Sequence, residues 1–154
     1  MANQKINTNR EIFFLARLIV LRPAFNKAVF YHGEDGKRKA ESYVRQNVGS
    51  TTITDLLRRS PKGKELLSKL ESIDDWQSIK EIWWELSRKM AQAASGDVHC
   101  FGSERLNIDG PVNAHRSTFE KNAYCHTVFE KVELPVLENN RRVESIFYNN
   151  KPLL

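Results

Sequence analysis

The feature that most limits how this chain can fold is an alternation of short β-rich runs with longer stretches of helical pattern. Ala28-Val29-Phe30-Tyr31, Val98 to Phe101 and Arg142 to Tyr148 read as strands, with further extended character at Thr51-Thr52-Ile53-Thr54 and Val128 to Leu134. Helical patterns fill the intervals. Thr8 and Glu11 make a capping box ahead of Ile12, Leu15, Ala16 and Ile19, and that helix ends before Pro23. Lys37 to Asn47 reads as a helix broken by Gly49. Ser60-Pro61-Lys62-Gly63 is a loop leading to a short helix through Leu70. The longest helix is capped by Ser72 or Asp74, carries the stripe Ile79, Trp83, Leu86 and Met90, and stops before Gly96. Strands separated by helices predict an α/β chain with a small, mainly parallel sheet and helices around it. Ligands in such sheets bind beyond the carboxyl ends of strands, which points to Tyr31, Phe101 and the loops after them. Residues 102–123 read mostly as loop.

Composition narrows the function classes. The 154 residues suit one domain, and 40% hydrophobic residues suffice for a core. No stretch approaches the roughly 18 apolar residues of a membrane span; the best run, Ile12 to Leu21, is broken by Arg17. The N-terminus has neither the basic head nor the cleavage site of a signal peptide, so the chain is expected to be soluble as it stands. The net charge of +5 favours an anionic partner, namely a nucleic acid, a dinucleotide or an acidic protein. That charge is spread over many segments with no arginine-rich arm, which argues against nucleic acid. Cys100 and Cys125 make no disulfide framework, though one bridge between them stays open, and no Cys/His cluster suggests zinc.

The most informative stretch runs from Ile82-Trp83-Trp84-Glu85-Leu86-Ser87-Arg88-Lys89-Met90-Ala91 to Ala94, then Gly96-Asp97-Val98-His99. It closely resembles the helix-then-strand signature of the ADP-ribosyl cyclase and NAD glycohydrolase family. That family shows an aromatic and Trp, a Ser-Arg-basic run, a small-residue turn and a Val-His strand. Further on the family has a Phe with a Glu four positions later, matched here by Phe129 and Glu133 in Phe129-Glu130-Lys131-Val132-Glu133-Leu134-Pro135. The earlier Ser117-Thr118-Phe119 is a decoy, because the fourth residue after Phe119 is Ala123. Upstream, Tyr31 stands where the family has a Trp, and Thr54 replaces the glutamate of its Thr-Leu-Glu-Asp segment, with Asp55 next to it.

The resemblance implies an ADP-ribosyl cyclase-like fold, with N-terminal helices packed on a small, mainly parallel four-stranded sheet. It implies a single domain over residues 1–154, made of an N-terminal helical segment (1–26) and a catalytic core (27–154). It also implies the chemistry. NAD+ is the substrate and no cofactor or metal is needed, because the pyridinium leaving group already carries positive charge. What the site must stabilise is an oxocarbenium-like ribosyl cation, and one well-placed carboxylate does that. Glu133 is the expected catalytic carboxylate; without the resemblance it would read as an ordinary surface glutamate. Indole offers the best π face for a cationic nicotinamide. Trp83 and Trp84 point about 100° apart, so only one can face the site, and the register with the family selects Trp83. The substrate-binding set is completed by Tyr31 as a second stacking wall, His32 and Gly33 as backbone donors to phosphate, Thr54 and Asp55 in place of the glutamate segment, Ser87 near the diphosphate, and Phe129 beside the substrate.

The expected activity is hydrolysis of NAD+ to nicotinamide and ADP-ribose, with cyclic ADP-ribose as a side product. Two rivals stand beside it. A ribonuclease would use His99, His115 and His126 as acid–base groups, though they share no spacing motif. A cyclase-like module that lost its activity would explain Tyr31 and Thr54. The animal members carry many disulfides that this chain lacks, so it looks like a bacterial, disulfide-poor relative. The expected setting is then a toxin domain of interbacterial competition, delivered into a target-cell cytoplasm and neutralised by a cognate immunity protein.

Overall fold

The computed structural model describes residues 2–74, 76–102 and 132–153. Its elements are α1 (Ala2–Leu18), β1 (Val29–Tyr31), α2 (Gly33–Gln46), α3 (Ile53–Leu57), α4 (Pro61–Glu71), α5 (Trp76–Ala93), β2 (Gly96–Phe101), α6 (Leu134–Asn139), β3 (Val143–Tyr148) and β4 (Lys151–Pro152). The sheet has four strands in the order β1-β2-β3-β4. β1 pairs parallel to β2 and β2 parallel to β3, while β4 closes the edge antiparallel to β3. The small, mainly parallel sheet with helices around it is therefore present. Asn149 and Asn150 join the last two strands at φ 47° and 68°, the left-handed pair that a two-residue hairpin turn requires.

Periodicity explains the core. On α5 the residues Ile79, Ile82, Leu86 and Met90 recur every three or four positions and are buried, joined by Ala91 and Ala94. α1 contributes Ile12 and Ala16, both fully buried, and packs on α4 and α5. Two long polar side chains tie helix ends to this core. The Lys89 ammonium donates to the carbonyls of Ala16, Arg17 and Ile19 at 2.5, 2.6 and 3.0 Å, satisfying the C-terminal end of α1. The Asn140 amide donates to Ala91 and Ala94 at 2.9 Å, doing the same for α5.

Four local expectations are corrected. Thr8 and Glu11 do not open α1, which already runs from Ala2, so the capping-box pattern lies inside the helix. α2 begins at Gly33 rather than near Lys37, with Glu34 and Asp35 in its first turn where the helix dipole favours them. Thr51 to Thr54 is not a strand: only Thr51 bridges to Ala28, and Thr52 caps α3. The cap is reciprocal, with the Asp55 N–H donating to Thr52 Oγ1 at 3.2 Å and the Thr52 N–H to Asp55 Oδ2 at 3.0 Å. Side-chain capping overrode β propensity there. The end of the Val128–Leu134 run is helical as well, since Val132 and Glu133 form a turn running into α6. The rest of that run and the expected 102–123 loop beyond Gly102 lie outside the described residues.

The Thr52 cap makes a testable contribution. Thr52→Ala is expected to lower stability by about 1 kcal/mol, read as a drop in unfolding midpoint. An unchanged midpoint would mean that burial of Leu56 and Leu57 alone holds α3.

Candidate active site

Parallel registry brings three strand ends level. Tyr31 stands opposite Phe101 and Cys100 opposite Tyr148, so the carboxyl ends of β1, β2 and β3 share one edge of the sheet. Just beyond it, His32 Nε2 lies 3.0 Å from the Tyr148 hydroxyl, and Gly102 is pressed so closely against both that a Cβ there would collide with them. Burial, with a smaller push from the Lys39 charge, lowers the His32 pKa to about 4, so this imidazole is neutral at physiological pH.

A cavity of about 460 Å³ opens beside this edge among α2, α3, α4 and α5. Tyr31, Thr54, Asp55 and Trp83 all line it, four positions that the sequence put in one substrate site. The Tyr31 hydroxyl and Thr54 Oγ1 are 3.3 Å apart on its wall. Trp83 sits at the border between core and cavity, half-buried and packed against the core. Trp84 points elsewhere, with the Lys80 ammonium 5.8 Å from its ring centroid. The helical offset between adjacent residues is what separates the two indoles.

Glu133 does not line the cavity. It lies in the turn before α6, and α6 packs on α5. The residue as a whole is only 4% exposed. The Ser87 side chain, one turn beyond Trp83 on α5, hydrogen-bonds to it, and the Cys100 thiol near the carboxyl end of β2 feels its charge. Its Oε1 has no hydrogen-bond partner among the described residues. Burial dominates its titration and pushes the pKa up to about 8, against the smaller lowering effect of Ser87. A carboxyl group with one oxygen unmatched and an acidity this perturbed is what functional sites accumulate and structural cores avoid.

Other expected contacts are placed differently. The His32 N–H donates to the Phe101 carbonyl at 3.0 Å, so it is not available to a phosphate. Strand pairing runs one residue past β1 and takes that donor. Gly33 is exposed and opens α2 at φ +70°, a conformation glycine alone adopts freely. Asp55 is committed through Oδ2 to the Thr52 cap. Ser87 meets Glu133 rather than open cavity. Phe129 lies outside the described residues, as do His115, His126 and Cys125. His99 is held between the rings of Tyr43 and Phe147, at 4.5 and 4.8 Å between centroids, with its pKa lowered by burial. That is a packed ring rather than an acid–base group at a cleft.

The basic lining of the cavity, formed by Lys37 and Arg45 on α2 and Arg58 at the end of α3, is not among the residues expected from the sequence. The signal was present: Lys37, Glu41, Val44 and Arg45 fall on one helical face. Among the described residues no group of His, Cys, Asp and Glu is arranged to hold a metal, and no helix is long and apolar enough to cross a membrane.

The fold is that of ADP-ribosyl cyclases. The chain superimposes on an ADP ribosyl cyclase complexed with N1-cIDPR with a TM-score of 0.52 and 17% identity, covering 92% of this chain and 63% of that one. It also matches the Aplysia cyclase complexed with substrate NGD and product cGDPR, with a TM-score of 0.49 and 20% identity, covering 80% of this chain and 48% of that one. The chain thus spans roughly half to two thirds of the length of these cyclases. No family model matches the sequence, and no curated protein matches it.

Proposed function

We propose that this chain is a NAD+ glycohydrolase, releasing nicotinamide and ADP-ribose, with Glu133 as catalytic carboxylate and Trp83 as the nicotinamide platform. The observation that carries the reading is the buried Glu133 carboxyl, unpartnered at Oε1 among the described residues and tied through Ser87 to the helix whose Trp83 lines the cavity. The C1′–N bond of NAD+ breaks with its electron pair leaving on nicotinamide, which becomes neutral. The ribosyl cation left behind is stabilised by the ionised carboxylate, and water then adds at C1′ and gives up a proton. Tyr31 and Trp83 both line the cavity, and their aromatic faces suit a flat cationic ring. Thr54, bonded to Tyr31 on the cavity wall, puts a neutral side chain where the family has a glutamate. Adenine attack on the same cation would give cyclic ADP-ribose as a side product.

The wider setting is a further step of the same proposal. A compact basic domain that destroys NAD+ fits the toxin part of a secreted bacterial effector, acting in a target-cell cytoplasm and held in check by a cognate immunity protein. The support is the cyclase-like fold together with the net charge of +5, which suits an acidic inhibitor.

Purified protein is expected to release one nicotinamide per NAD+ cleaved, with ADP-ribose as the main product, and to raise the fluorescence of the etheno analogue. Degradation of RNA without loss of NAD+ would replace this reading with the ribonuclease one. Trp83→Ala is expected to impair NAD+ use about tenfold or more, the scale of a desolvated cation–π contact, and Trp84→Ala to have little effect. The opposite order would exchange the roles of the two indoles.

A further inference from the structure

The cavity carries a charge pattern that the stacking residues do not explain. Lys37, Glu41 and Arg45 succeed one another every four residues along α2, on the face that lines it, and Arg58 enters from the end of α3. Carboxylates are present too, from Asp55, Glu41 and Glu71, but Asp55 is committed to the Thr52 cap. Among the described residues, none of Lys37, Arg45 and Arg58 forms an ion pair with any carboxylate. Three cations therefore border a ligand-sized hollow with their donors uncommitted. Guanidinium forks of this kind match the oxygens of a phosphate in a bidentate way.

The N-terminus of α2, the obvious alternative for an anion, is poorly suited to one. Its cap residue His32 spends its N–H on Phe101, and Glu34 and Asp35 already supply the negative charge that the helix end attracts. An incoming phosphate there would meet two carboxylates.

We propose that the phosphates of the dinucleotide are held in this cavity by Arg45 and Arg58, with Lys37 at the rim, rather than at the turn following β1. The identity of the ligand rests on the NAD+ reading; the charge of the subsite does not. Glu41 and Glu71 keep the cavity near neutral overall, so a phosphate is held by directed guanidinium hydrogen bonds more than by a net field. Binding is then only modestly weakened by salt.

The test is calorimetric binding of ADP-ribose to the whole chain. Arg45→Gln and Arg58→Gln are each expected to weaken it by about tenfold, the usual scale for one charge-assisted hydrogen bond. Arg38→Gln, an exposed α2 residue paired with Asp35, serves as the control and should leave binding unchanged. In turnover, the same two variants should raise KM for NAD+ with kcat nearly constant. If both bind ADP-ribose within twofold of the parent, or if the parent does not bind it, the subsite is refuted. Arginine-dependent binding of ADP-ribose without any cleavage of NAD+ keeps the subsite and refutes the glycohydrolase. Cleavage of NAD+ with arginine-independent binding does the reverse.

Discussion

Glu133→Gln is expected to reduce NAD+ turnover by at least about two orders of magnitude while making the folded protein more stable at alkaline pH. The two effects have one cause. A carboxyl group buried among Ser87, Cys100 and α6, with Oε1 unmatched, is costly to ionise, and its pKa stands at about 8 instead of 4.5. Between those values the folded state holds a proton that the unfolded chain has released. The free energy of unfolding therefore falls as pH rises across that window, by on the order of a few kcal/mol in all. Glutamine has nearly the same shape and carries no charge, so the variant escapes that loss. Its unfolding midpoint should match the parent's near pH 4 and exceed it by several degrees at pH 8.5. Activity within a few-fold of the parent would sink Glu133 as the catalytic group. Parallel pH–stability curves would show that its carboxyl group is solvated.

The second large effect is on the rate. Only the ionised carboxylate stabilises a ribosyl cation, so kcat/KM for the free enzyme should rise about tenfold per pH unit up to pH 8 and then level off. Between pH 6 and pH 8 the gain is about fiftyfold, because only half of the carboxyl groups are ionised at their own pKa. Ser87 hydrogen-bonds to the carboxyl group and lowers its pKa. Ser87→Ala should therefore move the midpoint of the profile upward, with the plateau rate changed much less. The histidines of the described structure do not compete for this limb, because burial lowers both His32 and His99. The pyridinium charge of bound substrate favours the carboxylate, so the midpoint seen in kcat should lie below the one in kcat/KM. A pH-independent kcat/KM from 6 to 8 would mean that the reacting group is another one.

Much of this was legible in the chain because it is written in local periods. The α5 stripe, the break at Gly96 and the apolar run of β2 follow from the 3.6- and 2-residue repeats, and they define the helix-then-strand unit that carries the family resemblance. Short-range hydrogen bonding was read less well. Thr52-Ile53-Thr54-Asp55 favours a strand by composition and a helix cap by its Thr and Asp three residues apart, and the cap won. The same segment supplies Thr54 to the cavity, so the misread element and the site are one place.

From spacing along the chain came the helix–strand order and the parallel sheet. The choice of Trp83 over Trp84 and the choice of Glu133 came from the register of the family resemblance. Only the tertiary structure decided what each side chain faces: the Glu133 carboxyl under Ser87 with its raised pKa, His32 against Tyr148, and the arginines of α2 and α3 across one hollow. Burial and charge proximity arise between residues far apart in the chain, as with Ser87 and Glu133. Desolvation is a property of the packed whole, and no local pattern encodes it.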